Sequence, residues 1–191
     1  QGGSTNAMTT GFGDAAIVAD RKKNRLLVMM VCGRTVCWNG RWTPEKSLTD
    51  DAVNRVARLY ATYDKVHKKW VWSQPEEVTN SIYNLFLDEN GNPTVSSLFI
   101  GSGKICQSRV VKKGRYYRLY CSMWTRDEGN RVIYSDDFGG SWQVLGKVAD
   151  RPAPYGDEPK IEELPDGTVV LSSRKGAGRY FNLFTFADNT Y

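Results

Sequence analysis

Ser135-Asp136-Asp137-Phe138-Gly139-Gly140-Ser141-Trp142 has the pattern Ser-x-Asp-x-Gly-x-Ser-Trp. An Asp in a tight turn accepts hydrogen bonds from the backbone just beyond it. A Gly takes the position with positive φ, and an aromatic ring tucks beneath as a plug. The strand pattern Asn130-Arg131-Val132-Ile133-Tyr134 leads into this corner and Gln143-Val144-Leu145 leads out, so it joins two strands of one sheet. Downstream come Gly156-Asp157-Glu158-Pro159, read as a carboxylate-bearing loop just before a strand, the turn Pro165-Asp166-Gly167, and the strand end Ser172-Ser173-Arg174.

Upstream the same plan recurs. Strand-turn-strand units centre on Asn24, Gly114 and Gly167. Repeated antiparallel meanders of this kind mark propeller blades. The fold expected is all-β, about three blades of a β-propeller with antiparallel four-stranded blades, spanning 1–191 as a single partial domain. An arc of that size leaves a sheet edge and apolar faces uncovered, so the chain is expected to need flanking blades. Leu26–Cys32 and Thr35–Trp38 read as separate strands, and Trp42–Asn54 as a loop or one helical turn. Tyr63-Asp64 with Trp70 and Trp72 reads as a second, degenerate corner without its Gly. Gly101 and Gly103 interrupt a strand, as at a bulge or a close backbone approach.

The Ser-x-Asp-x-Gly-x-x-Trp corner resembles the Asp-box of sialidases (neuraminidases), and the run from Gly156 to Arg174 is similar to the segment in which those enzymes place an acidic residue and an arginine. The resemblance covers most of the chain, least clearly Asn39–Asn92. It implies a six-bladed propeller and an exo-α-sialidase, hydrolysing terminal α-linked sialic acids with no metal or organic cofactor. It also implies a sialylated glycan as substrate and a secreted, periplasmic or cell-surface location. Glu158 matches the residue that takes a proton from the tyrosine nucleophile, which at an ordinary pKa near 10 needs such a base. Arg174 matches one of three arginines that grip the sugar's carboxylate. Asp14 lies where the family places a polar residue near the N-acetyl group, and Gln107 closes a Gly-x-Gly-x-x-x-Gln segment lining the pocket. Ser135, Asp137, Gly139 and Trp142 are structural.

Each assignment has a plainer competitor. Arg174 could be a surface arginine, Glu158 a solvated neighbour of Asp157, Asp14 a turn cap, and Gln107 a core amide; Arg179 serves as a structural comparison. The family's Arg-Ile-Pro arginine and acid/base Asp have no match here, and its third arginine and nucleophilic tyrosine fall beyond Tyr191, which ends the chain without an arginine motif before it. The chain alone is thus expected to lack turnover. A non-catalytic propeller that binds glycans or proteins is the alternative.

Composition narrows the field without choosing. With 40% hydrophobic and 25% charged residues, neither disorder nor a membrane span is indicated. The formal charge of +5 permits anionic partners, but the basic runs Arg21-Lys22-Lys23 and Lys112-Lys113 fall in hairpin turns without a nucleic-acid-binding motif, and a mixed, mildly basic surface is the favoured reading. Cys32, Cys37, Cys106 and Cys121 lack metal-binding spacing and His67 stands among lysines, so no metal site is expected and no disulfide is demanded. Residues 1–8 lack a signal peptide's charged and apolar regions and read as an internal stretch.

Overall fold

The computed structural model describes residues 8–38, 41–44, 54–126, 128–146 and 156–185. They form consecutive blades of a partial β-propeller. The first blade is the meander β1 (Met8–Ala19), β2 (Arg25–Trp38), β4 (Arg55–Asp64) and β5 (Lys69–Trp72), with β3 (Arg41–Pro44) paired to β2 and β6 (Glu76–Glu77) paired to β4. In the second, β7 (Leu98–Ile100) and β9 (Cys106–Lys113) share the inner position beside β10 (Tyr116–Thr125), followed by β11 (Gly129–Ser135) and β12 (Gln143–Val144). The third holds β13 (Asp157–Glu163), β14 (Val169–Lys175) and β15 (Gly178–Phe184). The turns at Asn24, Gly114 and Gly167 each join the first and second strands of a blade, as the repeat required.

Several local expectations are corrected. Leu26–Cys32 and Thr35–Trp38 belong to one strand, because β1 is long enough to pair with both halves, from Met8↔Val36 to Ala19↔Leu26. Arg41–Pro44, partly inside the expected loop, is a strand that folds back on β2; residues 45–53 lie outside those described. Between the first two blades runs α1 (Thr79–Tyr83), whose Ile82 is fully buried. Nothing periodic announces so short a helix.

The corner between β11 and β12 is built as its chemistry dictates. Asp137 accepts from the Ser141 backbone N–H and hydroxyl, both at 2.8 Å, and Ser135 Oγ accepts from the Gly139 N–H at 2.7 Å. Phe138 (φ 63) and Gly139 (φ 84) are both left-handed, and Phe138 joins Trp142 as a buried plug. The plug enters the core shared with the first blade, which includes Leu27, Met29, Val56, Leu119 and Ile133. Burying a side chain the size of Phe138 contributes about 1.5–3 kcal/mol. Arg58 donates to the carbonyls of Gly139 (2.5 Å) and Gly140 (2.8 Å), and the Arg25 guanidinium lies 3.6 Å from the Phe138 ring centre, so the corner also clamps the two blades together.

At the equivalent place in the first blade, Asp64 does cap the turn, accepting from the Val66 and His67 N–H groups. Its tryptophans are not plugs: Trp70 and Trp72 are 41% and 51% exposed. Register explains this. Trp72 pairs with Ala61, which pairs with Leu26, so both tryptophans share the face of Val28, Met30, Ala57 and Leu59, turned away from the second blade. The opposite end of the arc is similar, for Phe181 and Leu183 on β15 are exposed on the face turned away from the core of Val132, Ile161, Val169 and Leu171.

Candidate functional site

The inner strands run in one direction. β1 pairs in parallel with β8 (Gly103–Lys104) through Ala16↔Gly103 and Ile17↔Lys104. β13 lies alongside the second blade's inner strand, tied by Lys104 to Glu162 and by Glu163 to the Ser108 hydroxyl and the Arg109 N–H. β1 breaks register within the strand, between Gly13 and Ala16, and β13 at its upstream end, between Asp157 and Lys160. Bulges re-aim side chains, and here each presents a carboxylate from a left-handed residue, Asp14 (φ 46) and Glu158 (φ 41). A non-glycine residue held there is strained, and such outliers concentrate at functional sites. Glu158 therefore sits in a bulge of β13 itself, not in a loop before it.

Around Glu158 the charges interlock. The Arg174 guanidinium reaches Asp157 at 3.2 Å and Glu158 at 3.3 Å, with all three side chains about half exposed. Arg179 stands directly opposite Arg174 in the β14–β15 ladder and donates to the Glu158 carbonyl at 2.9 Å and to Ser172 Oγ at 2.6 Å. Far from a bystander, it holds the backbone of the bulge. Lys160 donates to the backbone and hydroxyl oxygens of Ser102. It also acts on Asp14: burial raises the Asp14 carboxyl above its ordinary value, Lys160 opposes the rise and Asp157 adds to it. Asp14, Asp157, Glu158, Lys160, Arg174 and Arg179 thus form one polar cluster, fed by two blades.

Gly101 sets the separation of the strands beneath it. A Cβ there would lie 2.2 Å from Ser122 Oγ and 2.8 Å from the Pro159 carbonyl, while Ser122 Oγ donates to that carbonyl at 3.1 Å. The close approach read from the sequence is therefore real, and it lies directly under the Glu158 bulge.

Gln107 is placed elsewhere. Its Oε1 accepts from the Arg21 backbone N–H at 3.0 Å and its Nε2 reaches Asp20 at 3.3 Å, at the β1–β2 turn and the opposite end of the inner strands from Asp14. The structure therefore brings Glu158 and Arg174 together, sets Asp14 within electrostatic reach of Lys160 and Asp157, and places Gln107 elsewhere. Asp157, Lys160 and Arg179 were not assigned roles from sequence; for Arg179 the signal was the tight Gly176-Ala177-Gly178 turn, which folds it back onto Arg174. Among the described residues no group of His, Cys, Asp and Glu is placed to hold a metal ion. A cavity of about 520 Å³ opens instead near the outer strands, lined by Arg58, Glu76 and Thr79, where Arg58 is already committed to Glu76 and the corner carbonyls. The Arg58 side chain is 16% exposed against 48% for Arg174, so it is the less able to exchange its partners for a ligand.

No family model matches the chain. Solved structures do. It is similar to a leech intramolecular trans-sialidase complexed with 2,7-anhydro-Neu5Ac, at 14% identity and TM-score 0.62, over 96% of this chain and 38% of that one. It is similar to an intramolecular trans-sialidase from Ruminococcus gnavus in complex with oseltamivir carboxylate, at 13% identity and TM-score 0.63, over 96% and 53%. A Trypanosoma rangeli sialidase in complex with the inhibitor DANA aligns at 17% identity and TM-score 0.64, over 91% and 26%. The chain therefore spans between about a quarter and about half the length of the solved structures it matches. At such identities the likeness is one of fold, and it agrees with the resemblance carried by the corner and by Glu158 and Arg174.

Proposed function

We propose that this chain supplies the middle blades of the catalytic propeller of an exo-α-sialidase, an enzyme that removes terminal α-linked sialic acids from glycoconjugates. The observation that carries the reading is the Arg174 guanidinium held between Asp157 and Glu158 at a strained bulge on the inner strand. Ion pairs that are half exposed contribute only about 0–1 kcal/mol, so a substrate carboxylate can replace them at little cost. A guanidinium suits that exchange because it offers two parallel N–H donors and keeps its charge. Glu158, released from Arg174, becomes the acceptor for the proton of a tyrosine nucleophile contributed by a later blade. A neutral nucleophile of that kind avoids driving a carboxylate against the substrate's own. Asp14 approaches the same space from the first blade and would contact the sugar's substituents. The Ser135–Trp142 corner is an Asp-box with a structural role at the blade edge.

The uncovered faces at both ends of the arc support a requirement for further blades, which would bring the remaining arginines, the acid/base Asp and the tyrosine. A secreted, periplasmic or surface location suits such a substrate. No helix among the described residues is long and apolar enough to cross a membrane.

The test is hydrolysis of a fluorogenic α-sialoside by the full-length protein and by its Glu158→Gln and Arg174→Ala variants. Loss of a general base is expected to lower kcat by about 10²–10⁴-fold, and loss of the carboxylate grip to lower kcat/KM about 10²-fold or more. An inactive wild-type protein that still binds sialylated glycans would replace the enzyme with a binding propeller.

A further inference from the structure

Two basic turns far apart in sequence meet on one surface, at the end of the inner strands opposite Asp14 and Glu158. The β1–β2 turn supplies Arg21, Lys22 and Lys23; the β9–β10 turn supplies Lys112, Lys113 and Arg115. All six are exposed. They gather over two tyrosines: Arg21 and Lys112 stand 4.9 and 5.7 Å from the centre of the Tyr117 ring, and Lys23 and Arg115 stand 5.9 and 4.9 Å from that of Tyr116. Of the carboxylates at its margin, Asp20 is paired to Arg25 at 2.7 Å, and Glu163 accepts from the Ser108 hydroxyl and the Arg109 N–H. None of the six forms an ion pair among the described residues.

Like charges gathered over two neighbouring rings repel one another and jointly attract anions, over a range set by a Debye length of about 8 Å at physiological salt. We infer that this face is a docking surface for a linear, highly sulfated polysaccharide. Its tips carry lysines and no protruding apolar side chain, so it lacks the wedge by which a protein enters a lipid surface. Its two half-buried tyrosine rings are engaged by cations of the same turns, not offered to a nucleobase. What remains is a cluster of exposed cations from two turns, complementary in charge to closely spaced sulfates. Docking there holds the protein on a polyanionic matrix with the Glu158 end of the inner strands facing away.

The experiment measures binding of the full-length protein to a heparin dodecasaccharide by titration calorimetry at several salt concentrations. The comparison protein carries Lys22→Gln, Lys23→Gln, Lys112→Gln and Lys113→Gln, all exposed turn residues, and its fold is checked by circular dichroism. We expect wild-type affinity to fall steeply with salt and the fourfold variant to bind at least tenfold more weakly. Hydrolysis of a small α-sialoside should be equal in both, so a failure here and a failure of the sialidase reading are separate results. Equal heparin binding by the two proteins overturns the proposal. So does tighter binding of a DNA dodecamer, or of vesicles of phosphatidylglycerol and phosphatidylcholine, at matched anionic charge.

Discussion

Replacing Gly139 by alanine isolates what the corner does for the arc. Two costs arise at once. Gly139 has φ +84, where a side chain costs about 1–2 kcal/mol. The new methyl would also lie 2.4 Å from Leu27 Cδ2, and Leu27 is completely buried. The backbone cannot retreat, because Ser135 Oγ accepts from the Gly139 N–H at 2.7 Å and Arg58 holds its carbonyl at 2.5 Å. Overpacking of this kind costs about 1–3 kcal/mol, giving roughly 2–5 kcal/mol in all. Gly114→Ala supplies the reference, since Gly114 has φ +55 and an added methyl there would meet nothing within 4 Å, leaving only the backbone cost of roughly 1–2 kcal/mol. Urea unfolding read by tryptophan fluorescence, with unchanged m, gives both values. In a Leu27→Ala background the Gly139→Ala loss should shrink by about 1 kcal/mol or more, because the collision is gone. Equal losses at Gly139 and Gly114, or no coupling to Leu27, would refute the view that the corner is keyed into the neighbouring blade.

Asp14→Asn is expected to stabilise the fold near neutral pH. Burial raises the Asp14 carboxyl, so its charged form opposes folding above its ordinary value of 3.8, and that penalty disappears as pH falls and the group protonates. Asparagine also tolerates the φ of 46. The midpoint gain should therefore be present at pH 7 and absent at pH 3, by urea unfolding. Cys121, fully buried, has its thiol pushed up to about 12. Iodoacetamide at pH 8 should leave its peptide unmodified in the folded protein and label it fully in urea, as read by mass spectrometry.

What could be read from the sequence was what is local. The Ser135–Trp142 corner makes its hydrogen bonds within a few residues, and its pattern alone announces them. The pairing of Glu158 with Arg174 was legible because one hairpin sets both. Long-range geometry was not. No local rule places an aspartate and a glutamate at positive φ, since the bulges that impose it arise from pairing with β2 and β14. The Tyr63–Trp72 segment was read as a degenerate corner, but its Trp70 and Trp72 stay exposed because parity on a strand, not spacing from an Asp, decides which face a ring takes. Gln107 was placed at the pocket by its resemblance to the residue closing a Gly-x-Gly-x-x-x-Gln segment, whereas the parallel register with β1 carries it to the level of Asp20.

Gly101 has an effect that reaches past packing. Since its missing side chain lets Ser122 and Pro159 close directly beneath Glu158, the spacing between two walls of the proposed pocket is governed by a residue that never faces the ligand. Relatives that accept bulkier or differently acylated sugars would then differ there, or at Ser122, before they differ among the charged groups. Selectivity would become a matter of how tightly two sheets nest, tunable without disturbing the chemistry.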